Sequence, residues 1–366
     1  MVLRERTMKA AVCYEPGKPL LIEDIVIDPP QPGEVKVRLA ATAICHSDIH
    51  VIRGDWNGKF PVVVGHEAAG VVEEVGENVT LAAPGDNVVV SLLRSCGRCF
   101  YCVKGLSNHC DGTFALQTES RLRNKRGEIV YQGIRTAAFA EYAIVDQSQV
   151  VQVPQRIPLD LAALLACGVI TGVGAVVNTA QVKPGSNVVV IGLGGVGLNA
   201  VQGALLAGAG QIAAIDIVDM KSAAARIFGA TRTLNSNRDD ARQVVLDLTG
   251  GRGADYVFVT VGNTTAVSQG ITMLRRAGTL VIVGMPPAGA TAPLRVGDIT
   301  EYGLRILGSF VGSSSLRTDV PWLIDLYEQG RLKLDELITA RYSLDQVNEA
   351  IEATERGEAI RNVIVW

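Results

Sequence analysis

Residues 188–197, VVVIGLGGVG, constrain the fold more than any other stretch of the chain. Four apolar residues are followed by glycines spaced G-x-G-x-x-G, and then by a helix-like run of small apolar residues. This strand, turn and helix predict a dinucleotide site, because the glycines let the backbone approach a pyrophosphate at the positive end of the helix. Asp216 follows Gly197 by nineteen residues, at the end of the next predicted strand. A carboxylate there accepts hydrogen bonds from a ribose and repels a 2′-phosphate, which favours NAD over NADP.

Strand-like and helix-like runs alternate from about residue 169 to residue 310. This alternation predicts an α/β domain with a doubly wound parallel sheet. In the first 150 residues, short Val-rich runs between Gly and Pro predict a mostly β domain, with a long polar loop at 111–135. Residues 188–215 carry no charge and are long enough to span a bilayer, but their glycines favour a buried strand, turn and helix. We therefore expect two domains and no membrane-spanning segment.

Charge and cysteine content narrow the expected partners and compartment. The 366 residues carry a formal net charge of −3, which offers no basic surface to nucleic acid or an anionic membrane. The N-terminal stretch has no apolar segment of the kind found in signal peptides. The seven cysteines are few and odd in number. We expect a cytoplasmic protein, because clustered cysteines in a reducing compartment bind metal more often than they form disulfides.

Four cysteines lie within fifteen residues at the spacing C-x2-C-x2-C-x7-C, and we call Cys96, Cys99, Cys102 and Cys110 the lobe cysteines. Four thiolates complete the tetrahedral coordination of zinc and leave no position for a substrate. The spacing therefore predicts a structural zinc site in a lobe at about 95–111. An iron–sulfur cluster also takes four cysteines and stays open as an alternative.

Three further residues, Cys45, His66 and Cys167, lie outside this lobe, and we call them the open cluster. Each alone is typical of a buried small side chain or of a hydrogen-bonded imidazole. Together they supply two thiolates and one imidazole, a ligand set that leaves the fourth position of zinc open. The sequence thus contains ligands for a closed metal site and for an open one.

Seven motifs occur in order along the chain: CHSD, GHEAAGVVEEVG, the lobe cysteines, ACGVITG, GLGGVG, AIDIVDMK and IRNV. Together they resemble the motifs of zinc-dependent medium-chain alcohol dehydrogenases of the long-loop group, which includes liver-type enzymes and glutathione-dependent formaldehyde dehydrogenases. The resemblance implies a GroES-like catalytic domain at 1–168 and an NAD-binding Rossmann domain at 169–310. The chain would then return to the catalytic domain at 311–366.

The resemblance also implies roles for individual residues. The open cluster would hold a catalytic zinc and the lobe cysteines a structural zinc, two ions per chain. Asp48 would orient the zinc-bound histidine, and Glu67 would lie near the metal on its far side. The alcohol would bind the open position of zinc and lose its proton through Ser47 to His50. Hydride would then pass from the zinc-bound alkoxide to NAD.

The cofactor site that the resemblance implies extends beyond the glycine turn. Lys221 would lie beside the adenosine ribose, and Arg361 would meet the pyrophosphate. His46 stands where liver-type enzymes often carry arginine at the same contact. The full set is His46, Thr171, Gly192, Gly194, Gly195, Val196, Gly197, Asp216, Lys221, Gly262, Gly284 and Arg361.

By register, Trp56, Leu92 and Leu116 would line the substrate pocket, and Trp56 would narrow it towards small or flat primary alcohols. We expect oxidation of primary or aromatic alcohols to aldehydes, and the reverse. A secondary-alcohol or polyol dehydrogenase and a glutathione-dependent formaldehyde dehydrogenase stay open, although Trp56 and Asn57 stand where the latter would need acidic residues. A non-catalytic dinucleotide-binding protein is disfavoured, because the open cluster and Ser47 are all present.

The assembly is also inferred from the resemblance. The segment between Cys110 and the FAEY motif is long, as in the dimeric liver-type enzymes. This length implies a homodimer, with a tetramer as the alternative. The sheet edge near residues 305–312, RILGSFVG, would be paired in the dimer and so protected from other chains.

Overall fold

The computed structural model describes residues 6–366. Residues 1–5, which belong to the predicted first domain, lie outside the described residues. In chain order the strands are β1 (Arg6–Cys13), β2 (Leu21–Ile27), β3 (Glu34–Ala43), β4 (Val62–Val63), β5 (Glu67–Val75), β6 (Asn87–Ser91), β7 (Leu122–Arg123), β8 (Ile129–Gln132), β9 (Tyr142–Asp146), β10 (Val150–Gln152), β11 (Asn187–Ile191), β12 (Gln211–Asp216), β13 (Arg232–Asn235), β14 (Ala254–Val259), β15 (Leu274–Ile282), β16 (Arg305–Gly308), β17 (Ile338–Tyr342) and β18 (Arg361–Val365).

The α-helices are α1 (His46–Arg53), α2 (Phe100–Val103), α3 (Leu159–Leu164), α4 (Gly168–Gly174), α5 (Gly195–Leu206), α6 (Asp219–Ile227), α7 (Ala241–Leu248), α8 (Thr264–Ile271), α9 (Val296–Tyr302), α10 (Leu316–Glu328) and α11 (Val347–Glu355). A π-helical turn at Ala175–Ala180 follows α4, and short 3-10 turns occur in several loops. The chain divides into two compact units, which are described separately.

One unit comprises Gly168–Ser314 and Leu326–Lys333. Its six strands form a parallel sheet in the order β13-β12-β11-β14-β15-β16. In this register Val188 lies between Ile212 and Tyr256. The inner strand β11 is buried over Val188–Ile191, as expected for a parallel strand covered on both faces. The doubly wound sheet predicted from the alternating pattern is therefore confirmed. The strand order reverses between β11 and β14, which is where open sheets of this type bind ligands.

The other unit runs from the first described residue to Cys167 and adds Ser315–Asp325 and Leu334–Trp366. Its larger sheet has the order β10-β6-β5-β3-β18-β17, with β9 also paired to β3. A second sheet closes into a small barrel in the order β1-β2-β7-β8-β4. Alternate side chains of β3, β5 and β6 fill one core, and buried side chains of β1, β2 and β4 fill another. This mostly β unit agrees with the predicted GroES-like fold.

Three sequence expectations differ from the structure. The predicted loop at 111–135 contains β7 and β8, because Leu122 and Val130 are buried and pair the segment with the barrel. One of the helix-like runs in the alternating pattern is TAVSQGITMLRRAG, residues 265–278, but its helix ends at Ile271 and residues 274–276 belong to β15. Residues 326–333 belong to the unit that contains the parallel sheet, although the sequence placed everything after residue 310 with the first domain. In this segment the Lys333 carbonyl accepts a hydrogen bond from Gln202 Nε2 on α5 at 3.0 Å, and the Lys333 N–H donates to Gln202 Oε1 at 2.7 Å.

The uncharged stretch at 188–215 forms β11, a turn, α5 and most of β12. Its helix has only 12 residues. Within residues 6–366, no helix combines the length and the apolar character that crossing a membrane requires.

Candidate active site

The open cluster and Glu67 converge in the first unit. Cys45 precedes α1, His66 precedes β5, Glu67 begins β5, and Cys167 lies between α3 and α4. Their ligand atoms, two sulfurs, one imidazole nitrogen and one carboxylate oxygen, all lie within 4.8 Å of one another. All four residues are buried. The tertiary fold thus brings together the three residues that the sequence grouped by chemistry and adds a carboxylate beside them.

Asp48 organises this cluster from the first turn of α1. Its buried carboxylate accepts the Gly65 N–H at 2.9 Å and the Cys45 N–H at 3.2 Å. It also lies 2.9 Å from Nδ1 of His66. Because a carboxylate only accepts, a neutral His66 carries its hydrogen on Nδ1, and Nε2 then keeps a lone pair. That Nε2 is buried and has no hydrogen-bond partner among the described residues.

The charges around the cluster favour a thiolate at Cys45. A hydrogen bond with Cys167 contributes most to lowering the pKa of the Cys45 thiol well below its ordinary value, and the positive charge of Arg361 lowers it further. Arg361, buried on β18, forms an ion pair with Glu67. Burial raises the pKa of Glu67 to about 7, although Arg361 opposes this shift. The site therefore combines a stabilised thiolate at Cys45 with a buried carboxylate, Glu67, that is paired with Arg361.

These donors fit a zinc ion. Thiolates and a neutral imidazole are the ligands that zinc prefers, and a buried imidazole nitrogen without a partner costs free energy unless something binds it. A metal-ligating histidine usually donates its other ring N–H to a carboxylate, which fixes the tautomer of the imidazole. The open cluster could therefore hold zinc, with Asp48 as that partner and Glu67 next to the site.

The lobe cysteines form a second group, with their sulfur atoms within 4.8 Å of one another. Backbone N–H groups point at these sulfurs: Cys99 N–H donates to Cys96 Sγ at 3.3 Å, and Cys96 N–H donates to Cys110 Sγ at 3.2 Å. The backbone N–H of Arg98 is the main reason that the pKa of Cys96 falls to about 7. Four converging sulfurs with no other donor match a closed site. The two cysteine groups are thus separate, as the spacing predicted.

The glycine turn joins β11 to α5 in the second unit. Gly192 has φ +92°, and a Cβ there would lie 2.3 Å from the Val261 side chain. A Cβ on Gly197 would lie 1.7 Å from the Gly192 carbonyl, so α5 can approach the turn only with glycine at this position. A Cβ on Gly194 would meet nothing within 4 Å. The turn therefore leaves open space at its middle glycine, next to the start of α5, where a phosphate could lie.

Two side chains brace this turn. The Asp216 carboxylate, at the end of β12, accepts the Leu193 N–H at 2.7 Å and the Val218 N–H at 2.9 Å. Thr260, just after β14, donates its hydroxyl to the Gly192 carbonyl at 2.8 Å. Thr260 could not be predicted from the sequence, because a single hydroxyl that follows a strand is not part of any recognisable spacing. Asp216 is thus held beside the turn at the carboxyl edge of the sheet.

Comparison with known proteins identifies the family. The family models described as Zinc-binding dehydrogenase and Alcohol dehydrogenase GroES-like domain match residues 195–329 and 31–155. The NDMA-dependent alcohol dehydrogenase of Amycolatopsis methanolica is 40% identical over 365 residues, 98% of each chain. The chain belongs to the medium-chain zinc alcohol dehydrogenase family.

Two further members of the family resemble this alcohol dehydrogenase along its whole length. The S-(hydroxymethyl)glutathione dehydrogenase of Saccharomyces cerevisiae is 37% identical over 97% of this chain and 95% of its own. The crystal structure of benzyl alcohol dehydrogenase from Acinetobacter calcoaceticus superposes with a TM-score of 0.92 at 32% identity, and the match covers 98% of this chain and 99% of that one. The predicted family and fold are therefore confirmed.

In this alcohol dehydrogenase the two predicted proton-relay residues lie on α1. Ser47 and His50 are three residues apart, so they lie on one face of the helix, and both are half-buried. Nδ1 of His50 lies 2.7 Å from Oδ2 of Asp55. The Trp56 ring stacks on the His50 ring, with centroids 5.0 Å apart and an interplanar angle of 26°. Asp55 was not predicted as a site residue. The only indication in the sequence is that Gly54, which can end a helix, stands between His50 and this acidic residue.

The predicted substrate-pocket residues occupy different surroundings in this unit. Leu92 is buried directly after β6, and Trp56 is half-buried against His50. Leu116 lines a cavity of about 240 Å³ together with Val51 and Tyr131. Among the described residues, neither Trp56 nor Leu92 lines that cavity. The membership of Trp56, Leu92 and Leu116 in the substrate pocket stays a prediction.

The remaining predicted cofactor residues divide between the two units. Gly262 and Gly284 follow β14 and β15 at the carboxyl edge of the parallel sheet, the edge that also carries Asp216. Thr171 is buried in α4, and Lys221 is buried in α6. In the first unit, His46 is the exposed first residue of α1, and Arg361 is buried against Glu67. The contacts of all these residues with NAD stay predictions.

Proposed function

We propose that this enzyme oxidises primary or aromatic alcohols to aldehydes, and catalyses the reverse reaction, with zinc and NAD as cofactors. One observation carries the proposal: a buried cluster of two cysteines and a histidine whose Nε2 has no hydrogen-bond partner among the described residues. Such a cluster has room for one more ligand on a metal, and an alcohol is the ligand that the family name implies. The full-length similarity to a protein named benzyl alcohol dehydrogenase supports an aromatic substrate.

Two zinc ions per chain fit the two cysteine groups. Cys45, His66 and Cys167 would hold the catalytic ion, and the lobe cysteines would hold the structural ion. When bound in an open site, zinc supplies a Lewis acid that lowers the pKa of a hydroxyl group. The chain itself supplies the orientation: Asp48 fixes the His66 ring so that Nε2 faces the cluster. The Ser47 hydroxyl and the His50 imidazole then carry the released proton away along one face of α1.

The carboxylate of Asp216 supports NAD as the cofactor. It lies beside the glycine turn, and two backbone N–H groups hold it in place. A negative charge there accepts hydrogen bonds from the two ribose hydroxyls and disfavours a phosphate on the 2′ position. NAD is therefore proposed as the hydride acceptor.

A second candidate is glutathione-dependent oxidation of formaldehyde. The relative named S-(hydroxymethyl)glutathione dehydrogenase, 37% identical along the whole chain, favours it. The residues that follow α1, Gly54–Phe60 or GDWNGKF, argue against it, because Trp56 and Asn57 replace the acidic residues expected there. The secondary-alcohol and polyol alternatives have no such relative among those described above.

Initial rates of NADH formation test the proposal. The panel contains ethanol, longer aliphatic alcohols, benzyl alcohol, a secondary alcohol and a polyol, with formaldehyde measured in the presence and absence of glutathione. We expect the highest kcat/KM on a primary or benzylic alcohol. Formaldehyde oxidation that requires glutathione and exceeds every alcohol rate would establish the second candidate instead. A further arm supplies NDMA, the compound in the name of the Amycolatopsis methanolica relative, without added NAD and follows aldehyde formation. Turnover only in that arm would contradict added NAD as the hydride acceptor.

We also propose a homodimer joined at β16, the edge strand of the parallel sheet. Ile306 and Leu307 on this strand are partly exposed, and its outer edge has no partner strand among residues 6–366. An edge strand with apolar residues pairs readily with its own copy around a two-fold axis. Light scattering should give about twice the chain mass of 38.8 kDa. A mass near four times that value would indicate the tetramer.

A cytoplasmic location stays a prediction from the cysteine content.

A further inference from the structure

The C-terminal turn of α1 places an acidic side chain against the predicted relay histidine. Gly54 ends the helix in the left-handed conformation, with φ +80°, which glycine adopts without strain. The Gly54 N–H donates to the Val51 carbonyl, and the Asp55 N–H donates to the His50 carbonyl at 2.9 Å. The chain therefore folds back, and the Asp55 carboxylate reaches Nδ1 of His50 at 2.7 Å.

This carboxylate is not required to end the helix. The backbone N–H groups of Gly54 and Asp55 already bond the last carbonyls of α1. Arg53, the last residue of the helix, pairs with Glu355 on α11. The Asp55 carboxylate therefore has the His50 imidazole as its hydrogen-bond partner, and the pair is mostly shielded, with 19% of the His50 side chain and 31% of the Asp55 side chain exposed.

The geometry determines which nitrogen of His50 carries hydrogen. A carboxylate can only accept, so Nδ1 of a neutral His50 must be the donor, and Nε2 must be the nitrogen with the free lone pair. The Trp56 ring, stacked at 5.0 Å, restricts rotation of the imidazole. Trp56 thus contacts the predicted relay histidine, and its place in the substrate pocket stays a prediction.

We propose that Asp55 is a positioning residue of the proton relay, which holds His50 in the Nδ1–H tautomer so that Nε2 accepts the proton of the alcohol. The inference rests on the proposed function. Ser47 passes on the hydroxyl proton, and Nε2 of His50 receives it. Asp55 stabilises the imidazolium that forms, and water then takes the proton from the ring, which regenerates neutral His50. The two electrons leave the substrate separately, as hydride, so the relay moves protons only.

The Asp55→Asn variant tests this role, because asparagine keeps the shape of the side chain but can turn its N–H group towards Nδ1. A donor at that position favours the Nε2–H tautomer, which cannot accept the relay proton. We expect kcat for the best alcohol to fall roughly tenfold to a hundredfold, with the KM values for alcohol and NAD within about twofold. Proton–nitrogen NMR correlations of ¹⁵N-histidine protein should show His50 as Nδ1–H in the wild type and as Nε2–H in the variant.

Two controls separate positioning from a structural effect. Asp24→Asn removes an exposed carboxylate that pairs with Lys125 in the same unit and should leave kcat unchanged. In a His50→Gln background, Asp55→Asn should have no further effect on kcat, because Asp55 acts only through His50. This double-mutant cycle also applies if the single variant is less stable, since a stability loss would lower activity in both backgrounds.

Wild-type kcat in Asp55→Asn, an unchanged His50 tautomer, or an undiminished effect in the His50→Gln background would each overturn the proposal. These outcomes differ from a failure of the proposed function. If the wild-type enzyme oxidised no alcohol in the panel, the substrate assignment would fall, while the tautomer of His50 would still report whether Asp55 controls the imidazole.

Discussion

Replacement of Cys45 by serine is expected to remove one zinc ion per chain and to lower alcohol turnover by at least about a thousandfold. A serine hydroxyl stays protonated near neutral pH, so the buried cluster would lose the thiolate that its surroundings stabilise. His66 and Cys167 would remain, but two ligands bind zinc far more weakly than three. Metal analysis of the purified protein and the initial rate on the best alcohol check this expectation.

Two other cysteine variants serve as controls. Cys13 is fully buried in the same unit, and burial raises its pKa to about 11, so Cys13→Ser should keep both zinc ions and the activity. Cys96→Ser should lose the other zinc ion and lower the unfolding temperature by about 2–4 °C for each kcal/mol of stability lost. The hydride transfer of folded Cys96→Ser protein should survive. A folded Cys96→Ser protein without hydride transfer would reverse the assignment of the two sites.

Replacement of Asp216 by serine should change the cofactor preference. The carboxylate is held beside the glycine turn, where it would meet the adenosine ribose. Without the negative charge, repulsion of a 2′-phosphate disappears, and the bonds to the ribose hydroxyls of NAD weaken. We expect the ratio of kcat/KM for NADP to that for NAD to rise about a hundredfold, since removing a like-charge contact is worth several kcal/mol. Initial rates with each cofactor measure this ratio.

The charge effect must be separated from loss of the turn. Serine also removes an acceptor from the Leu193 N–H, which could loosen the glycine turn for both cofactors. Asp216→Asn keeps the size and one acceptor oxygen, so the same rise in the ratio there would assign the effect to charge. Asp247→Asn, on the exposed face of α7, should leave the ratio unchanged. An unchanged ratio in both Asp216 variants would remove this residue from the ribose.

The parts of the protein that the sequence predicted correctly share a local physical origin. The turn at Gly192 and Gly197 can be built only without side chains, because a Cβ at either position would overlap its neighbours. In the lobe, the backbone N–H groups of Cys99 and Cys102 donate to the sulfur of the cysteine three positions earlier. Requirements of this kind are met within a few residues, so they leave a readable pattern in the chain.

The mistaken expectations concern contacts between distant segments. Polar residues dominate 111–135, yet Leu122 and Val130 give this segment two strands because the barrel buries them. Residues 274–276 carry a helix-compatible pattern, but Leu274 pairs with Ala254 of β14 and the segment begins β15. In both places, partners more than ten residues away supply the burial or the hydrogen bonds, and local propensity yields to them.

By itself, the sequence determined the family, the two types of domain, and the residues that could bind a metal or a dinucleotide. Those features depend on side-chain chemistry and on spacing within single turns. Only the tertiary structure brought the ligand atoms of Cys45, His66, Glu67 and Cys167 to within 4.8 Å of one another, and it left Nε2 of His66 buried with no hydrogen-bond partner among residues 6–366. It also turned Asp55 back onto His50. In each arrangement, segments that are distant along the chain come together. They do so because their apolar neighbours are buried in one shared core, which the local sequence does not specify.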